Sequence, residues 1–329
     1  MYILFFNFLI SLVFLFLGTQ LLVNSSITLS NKLNINRFII GFTIISLATS
    51  LPELFVTLGA STKGFNDFAI GNIIGSNISN ISLVLGLTAL ISPVIFSKNE
   101  IKLNYFPLVL LSTLFVAILI IFGFIGTLYG LIAIFSLFSY NIYLLQKGKD
   151  IISTDHLNNP NILIFLGKEF FISRLLYLFL FLLMGAILLW FGSEILIKSS
   201  KDIASLVGLS DRVISISLVA IGTSIPELFA SVYAACKKET KLAIGNLLGS
   251  NIFNMLAVLG ITSCINPINI GPNLHLDVLI MLAFTLLLFP CFYLRNLILK
   301  QENITMMIYK FEGLILLILY ILYMYFVIV

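Results

Sequence analysis

The sequence predicts an all-α integral membrane protein of ten transmembrane helices, arranged as two inverted five-helix repeats, and three observations predict it. Of the 329 residues, 60% are hydrophobic and only 10% charged, with a mean hydropathy of +1.13. A soluble domain carries roughly 25% charged residues, and it could not hide this much apolar surface. The apolar residues gather in windows of about 20, the length a helix needs to cross about 30 Å of hydrocarbon at 1.5 Å per residue. The second half of the chain also repeats the first in a constant register, without a gap through the longest matching stretch.

The ten windows run over residues 2–23, 35–62, 67–93, 104–122, 124–145, 171–197, 210–236, 241–267, 275–295 and 308–328. The first has no basic flank and no small-residue cleavage site, so it is expected to remain as a helix. Residues 1–145 form the first repeat, 146–170 a linker and 171–329 the second repeat. The linker holds Asp150, Asp155 and His156 and reads as a solvated cytoplasmic loop, too short for a sensing domain. Placing the N-terminus outside puts 14 of the 18 basic residues in cytoplasmic loops and leaves Lys63, Lys198, Lys201 and Arg212 on the other face. That bias predicts both termini outside.

The net charge of +4 is scattered over short loops, which reflects orientation in the bilayer rather than a nucleic-acid partner. Cys236, Cys264 and Cys291 show neither CxxC nor Cys/His spacing, so no disulfide framework or zinc site is expected. No cofactor is expected, and protein partners are not legible. Ile, Phe and Asn richness suggests an AT-biased genome and a prokaryotic plasma membrane.

Sliding the chain on itself until Gly41 falls on Ser215 aligns GFTIISLATSLPELFVTLGA with SISLVAIGTSIPELFASVYA, and AIGNIIGSNISN from Ala69 with AIGNLLGSNIFN from Ala243. Over 41–93 against 215–267, 23 of 53 positions are identical without a gap. The shift carries helix 1 onto helix 6, an odd number of crossings, so the repeats enter the membrane from opposite sides. Inverted repeats place a solute or ion site near the midplane, where it can open to either face in turn.

Glu53 and Glu227 fall inside helices 2 and 7 at corresponding positions. An ionised carboxylate there costs roughly 2.5–3.5 kcal/mol or more unless something pairs with it, and no Lys or Arg lies in the apolar interior. Each follows a proline, in Thr49-Ser50-Leu51-Pro52-Glu53 and Thr223-Ser224-Ile225-Pro226-Glu227. Proline removes a helix hydrogen bond and clashes with an earlier carbonyl, so helices 2 and 7 are expected to break. Carbonyls near Ser46 and Thr49, and near Ala220 and Thr223, would then lose their partners and could face a cation.

Helices 3 and 8 supply a matching surface. Asn72, Ser76 and Asn80 are spaced i, i+4, i+8 and share one face, as do Asn246, Ser250 and Asn254. Such stripes serve either as interhelical glue or as ligands, and for Asn72 and Asn246 both readings stand. The donor set is oxygen only. Calcium takes six to eight oxygens in flexible geometry, whereas transition metals call for His or Cys. Glu194 and Lys198 are expected to form an i, i+4 ion pair at a helix end.

Two long motifs, ATSLPELFVT with AIGNIIGSNISN and GTSIPELFAS with AIGNLLGSNIFN, resemble the paired alpha-repeats of the sodium/calcium exchanger branch of the calcium:cation antiporters. With the flanking helices the resemblance covers nearly the whole chain apart from 146–170. It implies helices 2, 3, 7 and 8 broken around a midplane site. It also implies that Glu53 and Glu227 bind Ca2+ with the carbonyls of Thr49 and Thr223. Ser50, Ser76, Ser224 and Ser250, with the carbonyls of Ser46 and Ala220, would form flanking Na+ sites, and Asn80 and Asn254 complete the cluster. Ala48 stands where family members usually have glycine. Asn254 stands where some relatives place an aspartate, which in the resembling potassium-dependent exchangers goes with K+ cotransport, so K+ is not expected to be required.

Transport of Ca2+ against Na+ is the activity this resemblance implies. The alternative is a Ca2+ or other divalent-cation/H+ antiporter on the same scaffold. The proton-coupled branch carries a different motif downstream of its glutamate, which argues for sodium. An intramembrane enzyme would need HExxH-type ligands or a buried base, and both histidines fall outside the apolar cores. A channel could use the same oxygens, but inverted repeats around one site favour alternating access.

Overall fold

The structure, a computed structural model, describes residues 2–96, 105–148, 161–206, 222–269, 271, 274–299 and 306–328. Helix α1 runs over Tyr2–Leu33, well beyond its expected end at residue 23. It stops where Asn34 turns to φ 52° and the Ile35 N–H reaches back to the Ser30 carbonyl at 3.1 Å. Helix α2, Arg37–Thr49, starts on Asn36, whose Oδ1 accepts from the Phe38 N–H at 2.8 Å, a side-chain N-cap. It contains a π-helical stretch at Gly41–Ile45.

Helix α3, Leu51–Thr62, leaves α2 at an angle of 41°. Ser50 at the joint has φ −85° and ψ 4°. Its N–H still bonds the Ser46 carbonyl at 2.9 Å, and across the joint the Leu54 N–H bonds the Ser50 carbonyl at 3.2 Å. Pro52, with no N–H, lies between them. Ser224 repeats the joint at φ −84° and ψ 3° ahead of the helix Ile225–Cys236.

Helix α4 spans Asn66–Ile91, α5 Phe106–Phe122, α6 Thr127–Gly148, α7 Leu175–Leu206, α8 Ile225–Cys236, α9 Thr240–Ile265, α10 His275–Leu299 and α11 Lys310–Ile328. Among the described residues, six helices are long and apolar enough to cross a membrane, or seven if α2 and α3 make one bent span. Corresponding to the third and eighth expected spans, α4 and α9 run through without the expected break. They carry π-helical stretches instead, at Asn80–Val84 and Asn254–Val258, matching positions of the two repeats. One extra residue per turn bulges the helix without ending its hydrogen-bond ladder, and such bulges are frequent at functional sites. Both helices stop at an extended residue, Ser92 or Asn266, followed by proline.

The windows of α4 and α9 are 83% and 100% buried, against 22% for α6 and 17% for α11. The repeat motifs thus form the centre of the packing, while α6 and α11 turn residues such as Phe135, Phe138, Ile321 and Tyr325 outward. Strands β1 (Val94–Phe96), β2 (Phe124–Ile125), β3 (Ile162–Phe165), β4 (Lys168–Phe171), β5 (Ile268–Asn269) and β6 (Met306–Ile308) form three antiparallel pairs. Pair β1–β6 sets Val94 opposite Ile308, and β2–β5 sets Ile125 opposite Ile268. Each of these two pairs joins the first half of the chain to the second. Val94 and Ile268 are themselves repeat partners.

The pair β3–β4 lies in the segment read from sequence as a solvated linker. It is a docked hairpin, whose turn at Leu166 and Gly167 has φ of 49° and 75°, the positive angles that suit a two-residue hairpin turn. Gln20, Asn24, Thr28 and Lys32, spaced one helical turn apart on one face of α1, hold it. Gln20 Oε1 accepts from Leu166 N–H at 3.1 Å, Asn24 Nδ2 donates to Ile164 O at 2.7 Å, Thr28 Oγ1 to Ile162 O at 3.0 Å and Lys32 Nζ to Ile172 O at 3.0 Å. Asp150, Asp155 and His156 lie outside the described residues. The expected Glu194–Lys198 ion pair is not formed, and both side chains are exposed. An ion pair joins Arg37 to Glu239, at the starts of α2 and α9.

Helices α1 and α7 cross through repeat-related glycines. A Cβ on Gly18 would meet Gly185 O and Leu189 N at 2.8 Å, one on Gly192 would meet Leu15 N at 2.9 Å, and one on Gly185 would meet Leu22 N at 2.7 Å. Gly59, by contrast, has nothing within 4 Å of such a Cβ. Gly185→Ala should therefore force the backbones apart and lose about 1–3 kcal/mol. Gly59→Ala should leave stability unchanged or raise it by up to about 1 kcal/mol through helix propensity. Thermal midpoints of the two purified variants in detergent check this, and equal midpoints would contradict the close crossing.

Candidate cation-binding site

The bend before Pro52 turns Glu53 into the centre of the packing, and the matching joint does the same for Glu227. Both side chains are 0% exposed. Among the described residues no ion pair reaches either carboxylate. Ser76 Oγ on α4 donates to Glu53 Oε1 at 2.9 Å and lies 3.0 Å from Ser224 Oγ. Ser50 Oγ donates to Glu227 Oε1 at 3.3 Å, and the hydroxyls of Thr49 and Ser250, 3.4 Å apart, lie beside the same carboxyl. Residues from both repeats thus meet around each glutamate, in one cluster.

Around this cluster the amides repeat a pattern. Asn72 Nδ2 donates to Thr57 Oγ1 at 3.1 Å and its Oδ1 accepts from Thr223 Oγ1 at 3.3 Å. Asn246 Nδ2 donates to Ser231 Oγ at 3.0 Å and its Oδ1 accepts from Thr49 Oγ1 at 3.1 Å. Both ends of these two amides are engaged, so Asn72 and Asn246 tie helices together and orient the threonine hydroxyls. These ties are the first of the two roles open for them from sequence.

Asn80 and Asn254, at the start of the two π-helical stretches, differ. Asn80 Nδ2 donates to Asn251 Oδ1 and Asn254 Nδ2 donates to Asn77 Oδ1, both at 3.1 Å. Their own Oδ1 atoms are buried without a partner, as are Glu53 Oε2 and Glu227 Oε2. Four oxygens on two repeat-related pairs of residues therefore stand unsatisfied in the interior, where an unpaired polar group costs about 1–3 kcal/mol and a charged one more. A desolvated cation is the partner such a set calls for.

The Ser46 hydroxyl bonds the Phe42 carbonyl and the Ser46 carbonyl accepts the Ser50 N–H, so this carbonyl is not freed by the bend as expected. The α2 ladder continues one residue further than the proline alone suggests. Ala220 lies outside the described residues. Sequence reasoning passed over Thr57, Ser231, Asn77 and Asn251. The signal for the last two was present, since Asn77 aligns on Asn251 within the GSN triplet shared by both motifs.

An all-α fold with long apolar helices around an oxygen-only cluster of two carboxylates defines a membrane cation transporter. A family model described as sodium/calcium exchanger protein matches residues 3–147 and 177–329, and the chain belongs to that family. An uncharacterized membrane protein of Methanocaldococcus jannaschii is 34% identical over 285 residues, covering 86% of this chain and 88% of that one. The sodium/calcium exchanger MaX1 of Methanosarcina acetivorans is 28% identical over 327 residues, with 86% and 90% covered. The solved structure of the sodium-calcium exchanger NCX_Mj soaked with 10 mM Na+ and zero Ca2+ aligns over 98% of both chains, with a TM-score of 0.78 and 30% identity. The protein is accordingly a multi-pass membrane antiporter of the cation-exchange type.

The amide ties yield a prediction about stability. Asn246→Leu should take from Ser231 Oγ its amide donor and from Thr49 Oγ1 its nearest acceptor, and lower stability by about 1–3 kcal/mol. A thermal midpoint in detergent equal to that of the unmodified protein would contradict the tie.

Proposed function

We propose that the protein exchanges Na+ for Ca2+ across the membrane by alternating access. It does so on a scaffold of ten transmembrane helices forming two inverted repeats, residues 1–145 and 171–329, joined by 146–170. The observation that carries this reading is the set of four unpartnered buried oxygens, Glu53 Oε2, Glu227 Oε2, Asn80 Oδ1 and Asn254 Oδ1, with no basic residue among the described ones paired to the carboxylates. Two carboxylates neutralise one Ca2+, and with the carbonyls of Thr49 and Thr223 the oxygens approach the six to eight that Ca2+ prefers.

Ser50, Ser76, Ser224 and Ser250, with the carbonyls of Ser46 and Ala220, are the proposed flanking Na+ ligands. The Thr49 hydroxyl has one hydrogen, and its nearer acceptor is Asn246 Oδ1 at 3.1 Å, against Ser46 O at 3.4 Å. The Ser46 carbonyl, holding one N–H, therefore keeps a lone pair for a cation. Na+ and Ca2+ have similar radii and compete for the same carboxylates, which couples their opposed fluxes. Asn254 supplies no third carboxylate, so K+ is not required. The pairs β1–β6 and β2–β5 each join one half to the other, with the repeat partners Val94 and Ile268 one in each, which supports the repeat arrangement. The 14 to 4 bias of basic residues supports a plasma (inner) membrane orientation with both termini outside.

The test is radioactive Ca2+ uptake into proteoliposomes loaded with Na+ and diluted into Na+-free buffer. Uptake should require internal Na+, be indifferent to K+, and fall to the level of protein-free vesicles in Glu53→Gln and Glu227→Gln. Uptake driven by a pH gradient and not by Na+ would instead assign the Ca2+/H+ reading.

A further inference from the structure

Asn77 and Asn251 carry polar groups at the centre of the packing, 1% and 0% exposed, and neither is among the proposed ion ligands. An amide that serves as a cation ligand has a problem a carboxylate does not, since a half-turn about its last torsion presents N–H groups instead of oxygen. In this protein each candidate ligand amide has its NH2 held by an acceptor across the repeat interface. Asn80 Nδ2 on α4 donates to Asn251 Oδ1 on α9, and Asn254 Nδ2 on α9 donates to Asn77 Oδ1 on α4, both at 3.1 Å. The two Oδ1 atoms left over are the buried oxygens without a partner.

We propose that Asn77 and Asn251 are positioning residues that lock the carboxamides of Asn254 and Asn80 with their oxygens toward the transported cation. The locks rest on the reading of the central cluster as the Ca2+ site, and they deepen it in two respects. They make the amide oxygens permanent ligands. They also match position 254 to a neutral donor, because an acceptor at 77 can hold an NH2 but repels a second carboxylate. Asn77 is itself anchored, its Nδ2 lying 3.6 Å from Met281 Sδ on α10, whereas Asn251 Nδ2 has no partner. The lock on Asn254 is therefore the firmer of the two.

The experiment is calorimetric Ca2+ titration of the purified full chain in detergent for Asn77→Leu, Asn77→Asp, Asn77→Asp with Asn254→Asp, and Glu53→Gln. Asn77→Leu removes the acceptor and should weaken Ca2+ binding about tenfold, in the range seen when partners of metal ligands are removed. Asn77→Asp keeps an oxygen facing Asn254 and should bind within about threefold of the unmodified protein. Adding Asn254→Asp to it sets two carboxylates against each other and should abolish that rescue. A merely structural role for Asn77 would not separate Leu from Asp in this way. Equal affinities for Asn77→Leu and the unmodified protein, or equal losses for Leu and Asp, would overturn the lock. Normal binding by Glu53→Gln would overturn the site itself, while its loss beside an unaffected Asn77→Leu would overturn the lock alone. If Asn77→Leu does not purify as a folded protein, Asn251→Leu and Asn251→Asp carry the same comparison through Asn80.

Discussion

Two carboxylates buried at membrane depth without a basic partner set the terms for everything around them. An isolated charge in hydrocarbon is tolerated only where other groups compensate it, and among the described residues no Lys or Arg supplies the compensation. The surroundings instead offer hydroxyls and amides, which solvate a carboxylate partly and a cation well. Ser76 and Ser50 each donate to one oxygen of a glutamate, leaving the other oxygen open. The interior is thus polar on one side of each carboxylate and unsatisfied on the other, a balance a mobile cation can complete and later leave.

The fold holds this balance in place by rigidity of the centre and close crossing at the flanks. Helices α4 and α9 lie in the most buried layer, and their π-helical stretches begin at Asn80 and Asn254. Their carboxamides bridge the two repeats. Helices α1 and α7 meet backbone to backbone at Gly18, Gly185 and Gly192, where small residues replace the hydrophobic drive that is absent between helices in lipid. The polar face of α1 is taken up by the β3–β4 hairpin, to whose carbonyls Asn24 and Thr28 donate.

Much of this was legible in the sequence, and what was not has identifiable causes. The constant register between the two halves marked Glu53 and Glu227 as partners, and the prolines marked the bend, because a missing N–H is a local fact. The breaks expected in the third and eighth spans appear as continuous helix with a π-helical stretch, since an extra residue in a helical turn leaves no composition signal. The hairpin was hidden because ILIF and KEFF are short, and the partner that holds them is a stripe on α1, far away in the chain. The roles of Asn72 and Asn246 were undetermined for a related reason. Spacing fixes the face of a helix on which an amide lies, but not which of its two ends finds a partner.

The central claim is that a single cation bridges the two halves through Glu53, Glu227, Asn80 and Asn254. The most direct measurement is anomalous diffraction from crystals soaked in Ca2+, paired with crystals in Na+ alone. A Ca2+-dependent peak is expected between the two glutamates, within about 2.3–2.6 Å of both Oε2 atoms and of the Asn80 and Asn254 oxygens. An empty centre at saturating Ca2+, or a peak held by residues of one repeat only, would contradict it.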